Sequence, residues 1–188
     1  MRTEAKNEST AMYVIRLAVT LLAIAAVVAA TLAGVNSITA PVIAARNAAK
    51  TQQAVEAVLP GGGEKIDVPA VDVGVPVSEV YQGENGYAVK VTPGGFGGTV
   101  EMMVGVGNDG SVLGISIIKH AETPSLGAVA AARSSAGEDF RGSFVGLSGT
   151  VAVSKDGGEA DTISGATITS RAVANGVNAA LALVAQMG

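Results

Sequence analysis

The stretch Gly98–Lys119, GTVEMMVGVGNDGSVLGISIIK, decides how this chain is read. Two apolar runs, Gly98–Gly105 and Val112–Lys119, flank Asn108-Asp109-Gly110. That tripeptide tolerates the positive backbone angles of a tight hairpin turn, so two antiparallel strands are predicted. Upstream, Glu79–Tyr81 and Tyr87–Thr92 around Gly83-Glu84-Asn85-Gly86 read as a second hairpin. Downstream, residues 128–142 read as a short helix and a turn, and Val151–Ser154 as a further strand. Ser170–Met187 carries the strongest helical signal, with Val173, Val177, Leu181 and Val184 on one face. Hairpins among separate helices predict an α+β domain, an antiparallel sheet of hairpins with flanking helices.

Between the two hairpins, Gly94-Gly95-Phe96-Gly97-Gly98 lacks the spacing of a nucleotide-binding glycine loop, and strand rather than helix follows it. It reads as a bend that lets another element approach. Of Met102 and Met103, one is expected in the core and the other facing a partner or cofactor. Residues 64–78, with two prolines, read as irregular edge structure.

Leu17–Val35, LAVTLLAIAAVVAATLAGV, is uncharged and about 19 residues long, the length of one transmembrane helix. Arg2, Lys6 and Arg16 precede it, and the next basic residue is Arg46. The positive-inside rule then puts the N-terminus in the cytoplasm and the chain beyond about residue 38 outside. A cleaved signal peptide, cut near Ala30 or Ala33, is the alternative, and it leaves the domain on the same side. Thr39 is placed to cap a second helix with Pro41 in its first turn, and Val42–Leu59 ends at Pro60-Gly61-Gly62-Gly63. The chain is therefore divided into a cytoplasmic segment 1–16, an anchor 17–38, a stalk helix and linker 39–78, and a domain 79–188.

Composition removes several kinds of chemistry. The chain has no cysteine and one histidine, His120. Iron–sulfur ligation, thiol catalysis and disulfide frameworks are excluded, and a histidine-rich metal site is too. A hydrolase would have to rely on His120 without a nucleophile elbow. The net charge is −4 and no basic block exists, which argues against nucleic acid. Redox chemistry in such a chain requires an organic cofactor.

The segment Asp161-Thr162-Ile163-Ser164-Gly165-Ala166-Thr167-Ile168-Thr169-Ser170 is dense in hydroxyls and small residues and runs into the last helix. Gly165 and Ala166 permit close approach to the backbone, and Thr169 or Ser170 is placed to cap the helix. A helix N-terminus offers free amides and a positive dipole end to a phosphate. A well-capped helix after a turn is the plainer reading of the same residues.

Asp161-x-x-Ser164-Gly165-Ala166-Thr167 resembles the flavinylation motif of FMN-binding domains in the Rnf and Na⁺-translocating NADH:quinone reductase complexes. The resemblance implies FMN covalently joined by a phosphoester to Thr167. Ser164, Gly165 and Ala166 would adjoin the flavin, and Asp161 would be read by the flavin transferase that makes the link. His120-Ala121-Glu122-Thr123-Pro124-Ser125-Leu126-Gly127 is similar to a second family motif, with Ser125 where the family usually has Gly. It implies flavin contacts from Glu122, Thr123, Leu126 and Gly127, while His120 either touches the flavin or fixes the loop. A glycine at 125 would serve a positive φ or a close approach. Lys119 and Arg171 are available to a phosphate but read better as solvated surface.

The resemblance runs from about residue 14 to 188, and the short stalk is similar to that of the G-type component of Rnf complexes. It implies a membrane-anchored electron-transfer subunit of an ion-translocating ferredoxin:NAD⁺ oxidoreductase, partnered by other membrane subunits and without catalysis of its own. A stand-alone flavinylated extracytoplasmic carrier and a cofactor-free secreted binding domain are the alternatives.

Overall fold

The computed structural model describes residues 4–187, with side chains from Thr10 onward. Arg2 and the side chain of Lys6, both in the basic flank, lie outside the described residues. Two compact units are formed, Met1–Ala48 and Ala49–Gly188.

The first unit is helical. Helix α1 (Glu4–Val58) carries an apolar stretch with mean hydropathy 2.4 over its most apolar window and none of that window buried, so it is long and apolar enough to cross a membrane. Three hydroxyls in this stretch are satisfied within the helix: Thr20 Oγ1 donates to the Arg16 carbonyl, Thr31 Oγ1 to that of Val27 and Ser37 Oγ to that of Gly34. The expected restart at Thr39 does not occur. Thr39 Oγ1 donates back to the Val35 carbonyl at 2.6 Å, and Pro41 lies inside the continuous helix. One ladder bond is lost at Pro41, and the surrounding turns keep the helix running.

The second unit is built on a five-stranded antiparallel sheet in sequential order. Its strands are β1 (Glu64–Ile66), β2 (Val77–Gly83), β3 (Gly86–Val91), β4 (Glu101–Gly107) and β5 (Val112–Lys119). Both expected hairpins are present, with Val80 opposite Val89 in the first and Val104 opposite Ile115 in the second. At the second turn the Gly107 amide donates to the Ser111 carbonyl, and Asp109 Oδ1 accepts from the Ser111 amide and hydroxyl. Strand β4 starts later than its sequence suggests, because Gly94 and Thr99 bridge to close a small glycine loop first.

Alternation along the strands makes two faces. One presents Val89, Val91, Met102, Val104 and Val106 to helix α3 (Thr167–Ala185), whose Val173, Val177, Leu181 and Val184 are all buried as their spacing predicts. The other presents Tyr81, Ala88 and Met103 to Val55 and Val58 in the last turns of α1 and to Leu59 just after it. Gly105 and Gly114 face each other across β4 and β5 beneath Val58, and a Cβ at Gly105 would strike the Val58 carbonyl. Both methionines are fully buried, so neither faces outward; strand alternation sends them to opposite faces, and both faces are covered.

Residues 128–142 form a 3-10 turn, Gly127–Ala131, and helix α2 (Ser135–Gly142), capped by Ser134. Arg141 Nη1 donates to the carbonyls of Ala130 and Ala132, tying the turn to α2. The strand expected at Val151–Ser154 is absent: Val153 makes one bridge to Ala160 and a 3-10 turn follows at Ser154–Asp156. The reason is a side chain. Asn178 on α3 accepts from the Val151 amide at 2.7 Å and donates to its carbonyl at 2.8 Å, taking the place of a neighbouring strand.

Candidate functional site

Helix α3 begins at Thr167, three residues before the sequence suggests, and neither Thr169 nor Ser170 caps it. Ala166 occupies the cap position without a side-chain hydrogen bond, and the Ser170 amide donates to its carbonyl. The hydroxyls are used elsewhere. Ser170 Oγ accepts from the Ile163 amide and donates to the Ala166 carbonyl, fastening the preceding turn to the helix. Thr169 Oγ1 donates to Glu122 Oε2 at 2.6 Å. The first amides of the helix are thus left without a side-chain cap, the arrangement that suits an anion.

The turn before the helix is held on several sides. Gly165 has φ +76°, and a Cβ there would lie 3.1 Å from Leu126 Cδ2. Thr162 Oγ1 meets Ser154 Oγ and accepts from the Lys155 amide, and the Asp161 amide donates to Ser143 Oγ. Asp161 and Ser164 are exposed, and Thr167 is half-buried.

The loop after β5 lies against this turn. His120 Nδ1 accepts from the Glu122 amide at 3.2 Å, so the imidazole fixes the loop. The Thr123 carbonyl accepts from the amides of Leu126 and Ala128, and Ser125 takes φ +61° in the turn between them. Position 125 therefore takes a positive φ, and serine adopts it. Glu122 is buried, with Oε1 accepting from the Gly97 amide at 3.0 Å in the glycine loop.

These segments enclose a cleft of about 300 Å³ lined by Phe96, Glu122, Thr123, Leu126, Gly127 and Gly165 through Thr169. Both motif segments singled out in the sequence reach it, although Ser164 and Asp161 stand outside its lining. Three lining residues were not anticipated as such: Phe96, 68% exposed, Ile168, 51% exposed, and Thr169, which is buried. In an aromatic-poor chain, a phenylalanine between glycine pairs was the available signal. With Leu126, Phe96 and Ile168 make an exposed apolar rim; the only other exposed large hydrophobics described in this unit are Val68 and Val145. An apolar rim beside uncapped helix amides fits a planar ring with a phosphate.

Arg171, one turn along α3, is not free to serve a phosphate. Its guanidinium makes a two-pronged contact with Asp156, Nε to Oδ2 at 2.8 Å and Nη2 to Oδ1 at 2.6 Å. That hydrogen bonding holds the Asp156 carboxyl below its ordinary range. A larger concavity, about 980 Å³, lies near the far end of α3 and contains none of the motif residues. Among the described residues, no group of acidic or histidine side chains is arranged to hold a metal ion.

Comparison with known proteins agrees with the cleft. Residues 95–182 match the FMN-binding domain family. The chain is 36% identical to the G-type component of the Na⁺-translocating ferredoxin:NAD⁺ oxidoreductase complex of Acetobacterium woodii, over 95% of each chain. It belongs to the family of G-type components of ion-translocating oxidoreductase complexes. A second member, from Methanosarcina acetivorans, is 33% identical over 87% of this chain and 90% of its own length. A third, from Erwinia tasmaniensis, is 44% identical over a shorter stretch, 45% of this chain and 42% of its own. The FMN-binding match begins at the glycine loop and ends within α3, so it spans every segment that lines the cleft.

Proposed function

We propose that this chain is the membrane-anchored subunit of an ion-translocating ferredoxin:NAD⁺ oxidoreductase that carries one FMN as a phosphoester of Thr167. The observation that carries the reading is the position of Thr167: first residue of an uncapped helix, half-buried, in the cleft that the two motif segments enclose. The uncapped amides and dipole of α3 would hold the phosphate. Gly165, Ala166, Thr123, Leu126 and Gly127 would border the flavin, with Ser164 at the edge of the turn and Glu122 at the cleft wall. Bound FMN supplies transfer of electrons singly or in pairs. The chain contributes tethering, orientation and an apolar edge.

In the attachment step, Thr167 Oγ would form a bond to the flavin-side phosphorus of FAD. The P–O–P bond breaks, AMP leaves and the hydroxyl proton is released. A separate flavin transferase would do this, and the exposed Asp161 is available for it to read. Residues 17–38 would form a single membrane span with the N-terminus cytoplasmic and the FMN domain, 79–188, outside, supported by the apolar α1. Other membrane subunits of the complex would be its partners.

Intact mass of the chain co-expressed with a flavin transferase, beside Thr167→Ala, tests this. The expected result is one added FMN less one water, lost completely in T167A. An unmodified, colourless wild-type chain beside an active transferase would overturn the reading.

A further inference from the structure

We propose that Glu122 is a positioning residue, a clamp that sets the shape of the flavin cleft by joining the three segments that form its rim. The proposal rests on the reading of the cleft as the FMN site. Both carboxylate oxygens are engaged within the protein: Oε1 takes the Gly97 amide at 3.0 Å, and Oε2 takes the Thr169 hydroxyl at 2.6 Å. Glu122 is 6% exposed and Thr169 is 1% exposed. Gly97 belongs to the loop that presents Phe96, Thr169 to the helix turn that presents Thr167 and Ile168, and Glu122 to the loop that presents Leu126. One carboxylate thus meets all three carriers of the apolar rim.

The surroundings are built around this carboxylate. A Cβ at Gly127 would collide with Glu122 Oε2 and Thr169 Oγ1, and one at Gly95 would collide with Glu122 Oε1. The imidazole of His120 holds the Glu122 backbone from the other side. Through one bond on Oε1 from Gly97 and one on Oε2 from Thr169, Glu122 acts on the cleft by way of these segments. Glutamine can keep both links, with its carbonyl accepting from Gly97 and its amide donating to the Thr169 oxygen; alanine keeps neither.

The test is amide hydrogen exchange on the full chain in detergent, prepared without the transferase, together with intact-mass FMN incorporation after co-expression. In Glu122→Ala, exchange in residues 94–99 and 163–169 should rise about tenfold, β3 and β4 should stay protected, and FMN incorporation should fall. Glu122→Gln should remain within about twofold of wild type in both readouts. Thr169→Val should loosen the same two segments, and adding it to E122A should change little further. T169V also reads the clamp if E122A does not fold. Unchanged exchange at 94–99 in E122A or T169V, a Gln variant as impaired as Ala, or additive effects would overturn the clamp. If wild type takes up no FMN, the carrier reading fails, while exchange in the unmodified chain still decides the clamp.

Discussion

The two faces of the sheet are made from alternate residues of the same strands, and they are held in different ways. The face under α3 is dry: Val89, Val91, Met102, Val104 and Val106 meet Val173, Val177 and Leu183 among others. The face under the end of α1 mixes apolar and ionic contacts. Lys90, 9% exposed, lies 2.7 Å from Glu101 Oε1, 3.6 Å from Glu79 Oε1 and 3.5 Å from the Thr51 hydroxyl on α1. Glu79 also meets Lys65 and accepts from the Tyr81 hydroxyl. The cleft adjoins the helix of the dry face. Small aliphatic side chains there pack without titrating. The ionic face instead joins the last turns of α1 to the sheet, through groups whose charge does depend on pH.

The largest effect should come from the dry face. Leu183 is fully buried, and Leu183→Ala should cost about 2–5 kcal/mol in a urea titration of the detergent-solubilised chain. A loss much below that would mean the α3 face is looser than its burial indicates. On the ionic face, Lys90→Met should cost less, about 1–3 kcal/mol, because Glu79 and Glu101 lose a cation but stay partly solvated. A cost equal to that of L183A would erase the contrast.

The smallest effect is the pH dependence of the ionic face. Burial, and then its hydrogen bond to Glu79, pushes the Tyr81 hydroxyl up from 10.0 to about 12. A raised folded value stabilises fully below the unfolded value, so this contribution is present below pH 10 and is lost as pH rises towards about 12. Burial raises the Glu79 carboxyl, but the Tyr81 hydrogen bond and the charges of Lys90 and Lys65 outweigh it and leave the group below its ordinary value. Its contribution is present above the unfolded value and is lost as pH falls through the folded one. Unfolding monitored across alkaline pH should show the Tyr81 slope, and Tyr81→Phe should remove it; a slope that persists in the variant would place its source elsewhere.

Much of the site was legible because local chemistry announces itself. Asn108-Asp109-Gly110 imposes a turn wherever it lies, and Val173, Val177, Leu181 and Val184 mark one helix face by spacing alone. Thr167 and the loop from Glu122 to Gly127 were identified by their motifs and do meet in one cleft. Thr169 was misread because a hydroxyl near a helix start usually caps it. Here a buried carboxylate 47 residues away is the better acceptor. Val151–Ser154 was misread because the amide of Asn178, 27 residues on, replaces a strand partner.

By itself, the sequence determined the apolar stretch of α1, the two hairpins, the buried stripe of α3 and the motif residues, since each depends on neighbours within a few positions. Only the tertiary structure decided that Met102 and Met103 are both buried and that Phe96 and Ile168 rim the cleft. It alone joined Glu122 to Gly97 and Thr169, and Lys90 to the end of α1. Those outcomes depend on which distant donor or covering surface reaches a side chain first, and residue spacing along the chain does not carry that information.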